Sequence, residues 1–141
     1  MIFLNASLCG RHFFVFINIV ILEKNTHMIT IWHNNRCSKS RNALCLLEDK
    51  HIQTEVFEYL KTPPTSEQIK DLLDKLGIEP EALVRKGEEV YKVEFKGKEL
   101  SYDQWIEAFV KHPILIERPI IIKGGKAVIG RPIENIEALL A

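Results

Sequence analysis

The chain has 141 residues, 46% of them apolar and 27% charged, with Lys+Arg and Asp+Glu equal at 19 each. That is enough for one domain with an ordinary core, and the balanced charge favours neither nucleic acid nor an acidic membrane as partner. Three cysteines, with no C-x-x-C and no zinc-ligand spacing, argue against a secreted disulfide scaffold or a structural metal and suit a reducing, cytoplasmic setting.

In chain order, residues 1–27 come first and differ from the rest. Their apolar run "FFVFINIVIL" is ten residues long, too short to span a bilayer. "EKNTH" follows it instead of a small-residue cleavage site. The expectation is an N-terminal extension outside the fold, with Met28 as the real start and residues 28–141 as the domain. "ITIWH" (29–33) reads as a buried strand, and residues 38–49, with Ala43, Leu44 and Leu47 at helical spacing, as a first helix. "TEVFEY" (54–59) reads as a second strand, which completes a βαβ unit with parallel pairing. Thr65 and Gln68 form a capping-box pair before Ile69, Leu72, Leu73 and Leu76, and Gly77 closes that helix. A short helix is expected over 80–86. A second capping box, Ser101 with Gln104, precedes Trp105, Ile106, Phe109 and Val110. "PIIIK" and "KAVIG" flank Gly124-Gly125 as a hairpin, and Pro132 is expected at the first position of a last helix. The order β-α-β, helical insertion, β-β-α is a thioredoxin-like α/β arrangement.

Chemistry concentrates at "HNNRCSKSRN", residues 33–42. A thiol at the first turn of a helix faces open backbone N–H groups and the positive end of the helix dipole, and both favour thiolate. Arg36, Lys39 and Arg41 lie nearby in sequence and should add to the effect. The same N–H groups can seat an oxyanion. Cys37 is therefore the candidate nucleophile. Cys45, among Leu44, Leu46 and Leu47, reads as an apolar filler. It is eight residues along the same helix, about 12 Å away at 1.5 Å per residue, too far for a disulfide with Cys37. Ser40 either caps the helix or bonds the thiolate, and both roles stay open.

Three arginines, Arg85 in "ALVRK", Arg118 in "IERPI" and Arg131 in "IGRP", end or turn elements. Singly each reads as a solvated side chain; together they offer planar forks for a tetrahedral oxyanion. With "ITIWHNNRCSKSRNAL", "YLKTPPT", "LGIEPEALVRK", "HPILIERPIII" and "GRP", the chain resembles the glutaredoxin-dependent, thioredoxin-like arsenate reductase family over residues 28–141. The resemblance implies that Cys37 attacks arsenic, that Arg85, Arg118 and Arg131 bind the oxyanion, and that Pro119 is cis. It implies that His33 supports the thiolate, although a polar residue closing a strand reads equally well. It also implies glutathione as co-substrate, glutaredoxin as partner and no bound cofactor.

The pairs around the cysteine depart from the family's better-studied members: here they are Asn35-Arg36 and Ser38-Lys39. The added Arg36 and Lys39 fit a different or larger anion as easily as arsenate. Two other functions use this fold. One is a thiol reductase acting on glutathione mixed disulfides. The other is an Spx-like RNA-polymerase-binding regulator, although such regulators often carry cysteine where Ser40 stands.

Overall fold

The structure is a computed structural model that describes residues 28–141. The expectations for residues 1–27 lie outside the described residues. A four-stranded sheet runs in the order β2-β1-β3-β4, with β1 at Ile29–Trp32, β2 at Thr54–Phe57, β3 at Ile120–Lys123 and β4 at Lys126–Ile129. β1 pairs parallel with β2, whereas β1–β3 and β3–β4 are antiparallel. β1 and β3 are central and carry apolar side chains on both faces, as a doubly covered sheet requires. Ile29, Ile31 and Ile121 face Ala43 and Leu47 of α1 (Ser38–Asp49) and Ile136 of α4 (Glu134–Leu140). Trp32 and Ile120 point the other way, into a larger cluster with Ile69, Leu72 and Leu73 of α2 (Ser66–Leu76) and Trp105, Ile106 and Phe109 of α3 (Tyr102–Lys111).

Both capping boxes form. Thr65 Oγ1 accepts from the Gln68 N–H at 3.2 Å while Gln68 Oε1 accepts from the Thr65 N–H at 2.9 Å. Ser101 and Gln104 repeat this at 3.3 and 2.8 Å. Gly77 ends α2 in the left-handed conformation, φ 65°, which glycine adopts without a Cβ penalty. The structure corrects three boundaries. The helix expected over 80–86 is a 3₁₀ turn, Pro80–Leu83, because Val84 leaves it extended and forms an antiparallel bridge with Ile116. The second strand stops at Phe57, and Tyr59 turns inward. Pro132 is not the first helical residue: it follows a cis peptide bond, and α4 begins at Glu134. The insertion also contains a π-helical stretch, Tyr91–Phe95. Among the described residues no helix is long and apolar enough to cross a membrane.

Two backbone contacts bring distant arginines to the carboxyl end of β1. Around the Val84–Ile116 bridge, the Arg85 N–H donates to Leu115 O at 2.7 Å and the Glu117 N–H donates to Leu83 O at 2.9 Å. This ties the insertion to the segment entering β3. At the end of β4, the Gly130 N–H donates to the carbonyl of Pro119, itself cis, at 2.7 Å. A Cβ at Gly130 would lie 2.9 Å from Pro119 Cγ and 2.9 Å from Ile136 Cδ1, so any larger residue forces the Pro119 ring and the Ile136 side chain to shift. Gly130→Ala is expected to destabilise the fold by about 1–3 kcal/mol through overpacking. Thermal denaturation checks this, and an unchanged midpoint would show that the two loops can separate freely.

Candidate active site

β1 ends at Trp32, and the chain must turn from strand to helix within five residues. Asn34, which is buried, shapes that turn. Its side-chain Oδ1 accepts from the Arg36 N–H at 3.0 Å, and its carbonyl accepts from the Cys37 N–H at 3.0 Å. Such an Asx turn is the ordinary use of asparagine beside a helix start. Cys37 is thereby placed at the N-cap of α1, with φ −95° and ψ 121°, 9% exposed and not in a disulfide.

Burial pushes the Cys37 thiol up. A hydrogen bond from Arg118, the open N–H groups of Ser40 and Lys39, and the Arg118 charge outweigh it, and together they bring the thiol down from 9.0 to about 7. Arg131 Nη2 also donates to Cys37 Sγ at 3.4 Å, while its Nε donates to Arg118 O at 2.8 Å. The sulfur thus lies under two guanidinium groups from residues more than eighty positions away. The basic residues beside it in sequence act elsewhere. Arg36 and Lys39 are exposed, and Arg41 Nη1 donates to the Asn35 carbonyl at 2.8 Å.

Because the group's folded value is depressed, thiolate is present above about 7 and is lost as pH falls through it. Alkylation of Cys37 by iodoacetamide is therefore expected to follow a titration with its midpoint near 7. A pH–rate profile measured by mass mapping checks this, and a midpoint near 9 would mean the arginines do not reach the sulfur in solution.

Arg85 approaches through an intermediary. Its Nε lies 3.0 Å from Glu88 Oε1, and the same oxygen is 3.6 Å from Arg118 Nη1. Arg85 Nη1 and Arg118 Nε and Nη1 are buried without a hydrogen-bond partner, as is the hydroxyl of Tyr59. Burial raises the Tyr59 hydroxyl's pKa, against the opposing charges of Arg118 and Arg85. Buried donors without acceptors cost about 1–3 kcal/mol each and call for an explanation. Here they share a seat that an anion would fill.

His33 and Ser40 do not bond the thiol through their side chains. They bond each other, Ser40 Oγ to His33 Nδ1 at 2.7 Å, and Ser40 Oγ also accepts from the Asn34 N–H at 3.1 Å. With Ser40 fully buried, its O–H is satisfied only by donating to Nδ1, which makes the imidazole the neutral Nε2–H tautomer. Burial lowers the His33 pKa, against the attraction of Glu58, and so favours the same neutral form. The pair therefore locks the turn rather than adding charge to it. Ser40 meets the sulfur through its backbone N–H, and neither Ser38 nor Ser40 is the cap residue. Asn34, Tyr59 and Glu88 carried no chemical signal in the sequence beyond their polarity. A cleft of about 290 Å³ borders this turn, lined by Asn35, Arg36, Glu58 and Lys61 among others. No three His, Cys, Asp or Glu side chains among the described residues cluster as metal ligands would.

The model of the ArsC family matches residues 32–139. An arsenate reductase of Neisseria meningitidis serogroup A is 46% identical over 114 residues, covering 79% of this chain and 97% of that protein. The uncharacterized protein YfgD of Escherichia coli K12 is 42% identical over 113 residues, with 79% and 95% covered. The solved structure of an arsenate reductase from Vibrio cholerae superposes with a TM-score of 0.76 at 42% identity, covering 81% of this chain and 98% of that one. Matched along nearly all of its described length, with its cysteine and arginines gathered at one end of the sheet, the chain belongs to the ArsC family.

Proposed function

We propose that residues 28–141 form a thioredoxin-like arsenate reductase domain that reduces arsenate to arsenite, with Cys37 as nucleophile and glutathione and glutaredoxin as reductants. The observation that carries this reading is the thiol held near 7 under Arg118 and Arg131, beside buried guanidinium nitrogens that lack acceptors. The arsenate reductases of Neisseria meningitidis and Vibrio cholerae among its relatives support it.

In this reading arsenate oxygens take the open nitrogens of Arg85 and Arg118, and Arg131 holds the sulfur from the other side. The Tyr59 hydroxyl adds a neutral donor. The thiolate attacks arsenic: an S–As bond forms, an As–O bond breaks, and the oxygen leaves as water after taking up protons. Glutathione displaces a second oxygen and forms a second S–As bond. A glutaredoxin thiolate then attacks the glutathione sulfur, and the electron pair of that S–As bond passes to arsenic, which falls from As(V) to As(III). Water releases arsenite and returns the Cys37 thiol. The guanidinium groups need no rearrangement as charge builds, which is where preorganised sites gain most of their rate. The cleft beside Arg36, Lys61 and Glu58 has the size and mixed charge to receive the tripeptide. No cofactor is required, and the reductants imply the cytoplasm. Arsenate-dependent NADPH oxidation, coupled through glutathione, glutaredoxin and glutathione reductase, tests the reading. Turnover of protein mixed disulfides without turnover of arsenate would instead favour a thiol reductase.

A further inference from the structure

The seat under Arg118 contains one group that an anion site would not be expected to include. Glu88 follows Arg85 in a turn, its N–H donating to Arg85 O at 3.3 Å, and its carboxylate faces inward, 22% exposed. One oxygen, Oε1, stands 3.0 Å from Arg85 Nε and 3.6 Å from Arg118 Nη1, between the two guanidinium groups that carry the unpartnered nitrogens. The carboxylate does not satisfy them: Arg85 Nη1 and Arg118 Nε and Nη1 remain without hydrogen bonds. Glu88 therefore neutralises charge in the seat while leaving donors open. Arg85 and Arg118 lie against the Glu88 carboxylate, and Arg118 and Arg131 against the Cys37 sulfur, so with Cys37 ionised three positive charges stand against two negative ones and one is uncompensated.

We propose that Glu88 is a specificity-determining residue that matches this seat to a singly charged tetrahedral oxyanion rather than a doubly charged one. A second negative charge on the ligand would meet no unpaired cation and would lie beside the Glu88 carboxylate. Electrostatic interaction within a partly dehydrated site is strong enough for one charge to decide such a choice. For arsenate the accepted species is then the dihydrogen form. The proposal rests on the oxyanion-seat reading above and adds to it which ionic form the seat takes.

The test needs no turnover. Perrhenate, tetrahedral and singly charged, and sulfate, tetrahedral and doubly charged, are compared as protectants of Cys37 against iodoacetamide, at fixed pH and ionic strength. In the unaltered protein, perrhenate is expected to protect at concentrations no higher than sulfate requires. In Glu88→Gln the half-protecting concentration of sulfate should fall about tenfold or more, while that of perrhenate changes by no more than about threefold. Glu88→Asp, which keeps the charge, should keep the original ratio. Glu88→Ala removes the same charge and is read in the same way should glutamine disturb the segment. An unchanged sulfate-to-perrhenate ratio in both charge-removing variants overturns the role of Glu88 while leaving the seat intact. Protection by neither anion in the unaltered protein overturns the seat itself, and the proposal with it.

Discussion

Replacing Cys37 by serine is expected to remove arsenate-dependent NADPH oxidation entirely, to the rate seen without enzyme. A serine hydroxyl is not ionised near neutral pH, and neither Arg118 nor Arg131 could bring it there. Arg131 Nε keeps its bond to the Arg118 carbonyl and Arg85 keeps Glu88 without the sulfur, so Cys37→Ser should still bind inorganic phosphate. It should bind it no more weakly than the unaltered protein does, because a like charge has been taken away. Calorimetric titration with phosphate beside the coupled assay separates the two effects. Residual turnover in the serine variant would move the nucleophile elsewhere.

Arg118→Ala is expected to be nearly as severe, for two reasons that can be told apart. Its side chain is the principal influence lowering the Cys37 thiol to about 7. Without it the thiol should return toward 9.0, leaving about a tenth or less of the thiolate at neutral pH. In the proposed reaction the variant would also lose a donor to the developing oxyanion, worth about 10²–10³-fold in comparable sites. Raising the pH restores thiolate but not the donor. The expected result is a kcat/KM reduced by at least about 10²-fold near neutrality and only partly recovered in alkaline buffer. Full recovery with pH would assign Arg118 to the thiol alone, and no shift in the alkylation midpoint would assign it to the substrate alone. Arg118→Lys keeps the charge but not the fork, and should restore the midpoint better than the rate.

What the sequence disclosed was local, and what it hid was long-range. The two capping boxes, the Gly77 stop and the hairpin at Gly124-Gly125 each depend on residues within a few positions, and each forms as read. The span of α1 is likewise as expected, residues 38–49. The helix expected over 80–86 is cut to a 3₁₀ turn at Pro80–Leu83 because Val84 is drawn into a bridge with Ile116, a partner more than thirty residues away. The thiol shows the same limit. Its position at a helix start is legible, but the support expected from the side chains of Arg36, Lys39 and Arg41 comes instead from Arg118 and the backbone N–H groups of Ser40 and Lys39, with Arg131 bonded to the sulfur. Ser40 and His33, each considered beside the sulfur, turn out to bond one another. Glu88 and Tyr59 were invisible because a carboxylate in a turn and an aromatic after a strand have many ordinary uses. Only the coordinates place them against buried guanidinium nitrogens.

The thiol is paired with an arginine near residue 131, and this has a consequence during synthesis. Until residues 118 and 131 have been made, Cys37 lacks both guanidinium groups and with them the largest influence that lowers its thiol. The arginine contribution arrives when β3 and β4 dock beside β1, so the speed of Cys37 alkylation at neutral pH should rise as that end of the sheet closes.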